Sequence, residues 1–184
     1  MELNKKNVFF KLLLYAKLVK LIVVMIVFLF INSCTISYKF NGASIDYTKT
    51  KSISITDFPN TAELIYPPLS QEFAETLRDT YSKQTRLQLL KKGGDMNLEG
   101  EITGYQLTPM AISADSYSAE TKLTITIKVR FSNNKNPEDD FEKSYTAYQN
   151  FDSNQLLSEV EDELMKTMVK EIADNIYNDT VAKW

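Results

Sequence analysis

The chain has no histidine and one cysteine, Cys34, in 184 residues. Without histidine there is no Ser-His or Cys-His nucleophile pair, and no zinc site of the usual ligand types. Without a second cysteine there is no disulfide within the chain. A domain outside the cytoplasm must then rest on an ordinary hydrophobic core, which about 150 residues can build. Apolar length is also short. Leu21–Ile31 runs unbroken for eleven residues, whereas a spanning helix needs about 20. Positive charge is thin beyond that run. Residues 1–33 hold five Lys and one Glu; taking these from 21 basic and 24 acidic residues leaves 16 and 23, net −7. Such a domain is not drawn as a whole to nucleic acid or anionic lipid. An anionic ligand would need a local basic patch.

What is present begins at the N-terminus. Lys5, Lys6, Lys11, Lys17 and Lys20 precede the apolar run, as in a signal peptide. The run ends Phe30-Ile31-Asn32-Ser33-Cys34. An apolar residue three before the cysteine and a small one directly before it resemble the lipobox of bacterial lipoproteins. That resemblance implies cleavage before Cys34 and acyl chains on the new terminus. It divides the chain into a signal peptide, residues 1–33, and one lipid-anchored periplasmic domain, residues 34–184. Stable anchoring needs at least two acyl chains. The alternative is an uncleaved anchor from Leu12 to Ile31, which would bury Lys17 and Lys20 at about 2.5–3.5 kcal/mol each near the bilayer centre. A buried free thiol is the bland reading of Cys34.

Thr35 to Asp46 reads as a tether. Ile53 and Ile55 alternate within Lys51–Phe58, which predicts a strand. Pro59, Pro67 and Pro68 break the next loop. Ser70 is expected to cap a helix carrying Phe73, Leu77 and Tyr81 on one stripe and ending near Lys83 or Gln84. Leu87 to Leu90 suits a short strand, and Gly93-Gly94-Asp95 a turn. Met96 to Leu107 reads as a strand in which Gly100 and Gly104 mark a bulge or a close backbone approach. The cleanest pattern follows: Leu123, Ile125, Ile127, Val129 and Phe131 alternate with polar residues. Asn133 to Pro137 is a turn, and Tyr145 to Phe151 a further strand. Val160, Leu164, Met168, Ile172 and Ile176 predict a closing helix, with Ser158 and Glu161 as a capping box. The order β-α-β-β-β-β-α predicts an α+β fold: a four- to five-stranded, mostly antiparallel (mixed) sheet with two helices on one face. The first strand and the strand after the first helix should be parallel.

Several segments in this order resemble a known family. They are Cys34 to Phe40, Ile53 to Phe58, Leu69-Ser-Gln-Glu-Phe73, Gly93-Gly94-Asp95 and Glu99-Gly-Glu-Ile-Thr-Gly-Tyr105. Leu123-Thr-Ile-Thr-Ile127, Phe151-Asp-Ser153, Val160-Glu-Asp-Glu-Leu164 and Val181-Ala182-Lys183-Trp184 complete the set. Together they resemble the lipopolysaccharide (LPS)-assembly outer-membrane lipoprotein family (LptE-like), in its Bacteroidetes-type form. The resemblance implies a non-enzymatic subunit at the periplasmic face of the outer membrane. It would plug the LptD-like β-barrel translocon, help that barrel assemble and bind LPS, with no cofactor and no metal. Family members are said to bind LPS through basic residues, whereas this domain is acidic. The rival reading is a free-standing periplasmic lipoprotein that binds a small apolar ligand or scaffolds the envelope.

Lys122, Lys128 and Arg130 share the polar face of the best strand, because their offsets are even. Three cations on one face fit lipid phosphates. A solvated sheet face is the bland alternative, and barrel-wall contact is a third. Glu99 and Glu101 also share a face, but no nucleophile or base accompanies them. Glu159, Glu161, Asp162 and Glu163 suit the positive end of a helix. Glu138, Asp139 and Asp140 read as a solvated turn without Ca²⁺-loop spacing. Tyr105, Tyr145, Tyr148 and Trp184 are either interface anchors or core.

Overall fold

Leu123, Ile125, Ile127, Val129 and Phe131 are all buried, on a strand with neighbours on both sides. The structure is a computed structural model that describes Lys17, Lys20, residues 45–110 and residues 119–182. Cys34, the rest of the predicted signal peptide, residues 35–44 of the tether, and Trp184 lie outside the described residues. Lys17 and Lys20 are helical and exposed. No helix among the described residues is long and apolar enough to cross a membrane.

The elements follow the expected order. They are β1 (Ser52–Ile55), α1 (Leu69–Gln84), β2 (Gln88–Leu90), β3 (Met96–Pro109), β4 (Glu120–Asn133), β5 (Phe141–Asp152) and α2 (Leu157–Thr180). A short 3-10 turn, Pro137–Asp139, precedes β5. The sheet order is β2-β1-β3-β4-β5. β1 and β2 are parallel, as expected of a crossover through α1. β3, β4 and β5 form the antiparallel meander. β1 also pairs with β3 in parallel, so it lies between its two successors.

That arrangement imposes a constraint. β2 ends level with Ser54, yet β3 starts level with Ile53 on the other side of β1. The segment between them must cross the β1 backbone, and Gly94 is where it does. A Cβ on Gly94 would lie 2.5 Å from the Ser54 nitrogen and 2.7 Å from the Ile53 carbonyl carbon. Ser54 points away from the core that Ile53 and Ile55 enter, yet it is 2% exposed, because the crossing segment lies over it. Asp95 anchors the crossing: its carboxylate accepts from the Lys51 and Ser52 backbone N–H groups at 2.9 and 3.2 Å. These bonds, with those from Lys135 and the Ser52 hydroxyl, hold its carboxyl down at about 2.

Both helices cover one face of the sheet. α1 contributes Leu69, Phe73, Ala74, Leu77 and Tyr81; α2 contributes Met165, Met168, Val169, Ile172, Ala173 and Ile176. They form one cluster with Ile53, Leu98, Ile102 and the inward row of β4. Ile125, Ile127 and Leu77 face inward as expected, while Leu164 only packs at the margin. The buried Tyr81 hydroxyl meets that of Thr180, tying the C-terminal ends of both helices together.

Two expected caps are not formed. α1 starts at Leu69 with Pro68 at its N-cap and no side-chain cap bond. Ser70 instead donates to the Phe58 carbonyl at 2.5 Å, pinning the helix to the chain leaving β1. α2 is flanked by Leu156, also without a side-chain cap. Glu161 takes the Tyr105 hydroxyl rather than closing a box with Ser158. Both glycine alternatives in β3 occur. The register shifts between Ile102 and Gly104, and a Cβ on Gly100 would lie 2.0 Å from the Lys128 carbonyl oxygen.

Candidate binding face

The strand period of two puts every second residue of β3, β4 and β5 on the face without helices. The antiparallel register sets Glu99 opposite Arg130, Glu101 opposite Lys128, and Gln106 opposite Thr124. On the other side Glu142 faces Arg130, Ser144 faces Lys128, Thr146 faces Thr126, and Tyr148 faces Thr124. The result is a polar sheet surface. At one end lies a ladder of charge; in the middle, threonines.

The ladder is closed on itself. The Lys128 ammonium meets Glu142 at 2.6 Å. Arg130 meets Glu142 at 3.3 Å and Glu99 at 3.1 Å. Glu101 accepts from the Thr61 hydroxyl at 3.2 Å. Hydrogen bonds from Lys128 and then Arg130 hold the Glu142 carboxyl below its ordinary value. The Glu142 carboxylate in turn holds the Lys128 ammonium above its own. These groups, with Thr56, Pro59 and Gly100, line a shallow cavity of about 340 Å³. Two cations against three carboxylates leave the local sum at −1. These pairs are solvent-exposed, and exposed ion pairs contribute little to a fold.

Lys122, Lys128 and Arg130 thus share a face, as the sequence spacing required. The structure groups Lys128 with Arg130 and sets Lys122 apart. Lys122 is half-buried, with its ammonium 5.6 Å from the ring centre of Tyr148. Glu142 is the residue that sequence reading missed, because β5 was expected to begin at Tyr145. Continuing the hairpin register back to Phe141 would have placed Glu142 beside Arg130.

The other candidates have simpler accounts. Tyr105 and Tyr145 are each 5% exposed, and their hydroxyls donate to Glu161 and Asp179. Burial first, then those carboxylates, pushes both phenols up. Tyr148 is 60% exposed on the open face. Glu159, Glu161, Asp162 and Glu163 lie in the first turns of α2, where the helix dipole favours them. Asp139 and Asp140 close the turn before β5, accepting from the Asn133 side chain and backbone at 3.1 and 2.6 Å. Among the described residues no cluster of three or more acidic or cysteine side chains is placed to hold a metal ion.

Comparison with known proteins gives one family. The model of LptE, lipopolysaccharide-assembly, matches residues 50–180. A comparison with curated proteins returns no match. Among solved structures the chain is similar to the rare lipoprotein B from Shewanella oneidensis, at 12% identity and TM-score 0.49, covering 67% of this chain and 91% of that one. It is also similar to lipoprotein B from Nitrosomonas europaea, at 19% identity and TM-score 0.45, covering 69% and 79%. A minor lipoprotein from Acinetobacter baumannii gives 12% identity and TM-score 0.43, covering 67% and 87%.

Proposed function

The chain belongs to the LptE lipopolysaccharide-assembly family, and on that premise we propose that it is the lipid-anchored accessory subunit of an outer-membrane LPS translocon. In this reading residues 1–33 are removed, Cys34 carries the acyl chains, and the domain stands at the periplasmic face. It plugs the lumen of an LptD-like β-barrel, helps that barrel assemble and contacts LPS, without catalysing a reaction.

The observation that carries this reading is the bare polar sheet face. A five-stranded sheet with helices on one side only leaves Gln106, Thr124, Thr126, Thr146 and the charge ladder uncovered. The interior of a large membrane barrel is itself polar and hydrated. A plug must therefore match it with hydroxyls, amides and neutralised charge rather than with apolar side chains. The acyl anchor supplies the membrane attachment that the net charge of −7 would oppose.

LPS phosphates meet Lys122, Lys128 and Arg130 on this face, with Glu142 and Glu99 as the carboxylates they must displace. Reversing the three cations to Glu should weaken LPS binding more than salt screening explains. Glu142→Gln should strengthen it by releasing Lys128 and Arg130. Unchanged affinity in both folded variants removes this face as the LPS site.

The test of the subunit role is extraction in mild detergent. The full chain should come out with one large β-barrel protein in near-equal amount. A chain that purifies alone from membranes that contain the barrel refutes the role.

A further inference from the structure

Among the described residues eight large hydrophobic side chains stand exposed, and five of them gather at one end of the domain: Leu64, Ile65, Leu107, Met110 and Leu156. Leu64 and Ile65 lead into Tyr66. Its ring stacks on Tyr105 of β3 with centroids 6.5 Å apart, and its hydroxyl donates to Asp162 of α2. Leu107 lies on β3 two residues beyond Tyr105, and Met110 follows that strand. Leu156 immediately precedes α2. Ile65 and Leu156 are 61% and 66% exposed. Ile45 lies at the opposite end, where it shares a cavity with Asn133 and Thr180.

The same end is acidic. Glu63, Glu159 and Glu163 are exposed, and Glu120 opens β4 beside them. Glu161 and Asp162 hold the two stacked tyrosines. The helix dipole accounts for the α2 carboxylates. It does not account for Glu63 on a loop or Glu120 on a strand. Against these stand Lys122, turned to the open face, and Lys166, on the third turn of α2.

Exposed apolar groups collected at one end and rimmed by polar residues mark an interaction site. The rim then selects the partner. An anionic lipid surface or a lipid phosphate is repelled by it, and a second copy would bring carboxylates against carboxylates. We propose that this end docks a protein segment in which apolar side chains are flanked by lysine and arginine. The inference goes beyond the translocon reading: it names a surface and its chemistry, and holds whether or not that protein is a barrel.

The test is photo-cross-linking of the full chain in cells, with a photoreactive amino acid at Ile65 or Leu156. Both positions should join the same protein, at a segment rich in Lys and Arg. Glu159→Lys with Glu163→Lys should lower the yield at least fivefold. Glu63→Lys should lower it too, without touching the helix end, whereas Glu138→Lys should not. Adducts with lipid, with a second copy or with an acidic segment overturn the proposal, as do the absence of a protein adduct and yields indifferent to charge reversal. The outcome is independent of whether a barrel co-purifies, so either reading can fail alone.

Discussion

Gly94→Ala should be among the most damaging single-methyl additions in this domain. The new Cβ would lie 2.5 Å from the Ser54 nitrogen, 2.6 Å from the Met96 oxygen and 2.7 Å from the Ile53 carbonyl carbon. Favourable contact for such atoms begins near 3.5 Å, so the shortfall is about 0.8–1 Å against three backbone atoms. No rotamer change relieves it. The crossing segment must lift, and its ties loosen with it. Asn134 donates to the Gly94 carbonyl at 3.0 Å, and Asp95 accepts from the Lys51 N–H at 2.9 Å. Overpacking costs about 1–3 kcal/mol, and two weakened hydrogen bonds add about 1–3 kcal/mol. The expected loss is about 2–6 kcal/mol, a large share of a typical stability of about 5–15 kcal/mol. Gly93 is the control. It has φ +74° and nothing within 4 Å of a Cβ, so Gly93→Ala meets only the left-handed backbone penalty of about 1–2 kcal/mol. Urea melts of both variants followed by circular dichroism make the comparison. If Gly93→Ala costs as much as Gly94→Ala, the crossing of β1 is not where this reasoning puts it.

Three further outcomes are expected. Ile127 is fully buried, so Ile127→Ala should cost about 2–5 kcal/mol, while Thr126→Ala on the open face should stay within about 0.5 kcal/mol; equal losses in denaturant melts would mean that the faces are exchanged. Asp95 has its folded carboxyl at about 2, below the ordinary value near 3.9. Its contribution is present above that ordinary value and is lost as pH falls from about 4 towards 2; Asp95→Asn should flatten the stability curve in this window, and parallel slopes in acid urea titrations would count against it. Cys34→Ala should leave the precursor uncleaved and without acyl chains, and mass spectrometry of a normally processed variant would sink the lipoprotein reading.

Much of the fold is local and was legible. The alternation on β4, the fourfold spacing of Phe73, Leu77 and Tyr81, and the later part of the α2 stripe, Met168, Ile172 and Ile176, each specify one buried face. Burial favours that face whatever the remote neighbours are. The element order, the parallel pairing of β1 with β2 and the shared face of Lys122, Lys128 and Arg130 follow from periods of 2 and 3.6 and from the crossover rule. The caps failed for a physical reason. Ser70 and Glu161 found tertiary partners, the Phe58 carbonyl and the Tyr105 hydroxyl, that lie 12 and 56 residues away and leave no local signal.

The tertiary structure alone decided three things. It placed β1 between β2 and β3, which turned Gly94 from a turn residue into a point of backbone contact. It set Glu142 and Glu99 against Lys128 and Arg130, because cross-strand register, not sequence distance, determines which charges meet. It brought Ile65, Leu107 and Leu156 to one acidic end from a strand and two connections far apart in the chain. The sequence by itself determined which side chains must leave water; only the closed fold determined which of the remaining ones stand together.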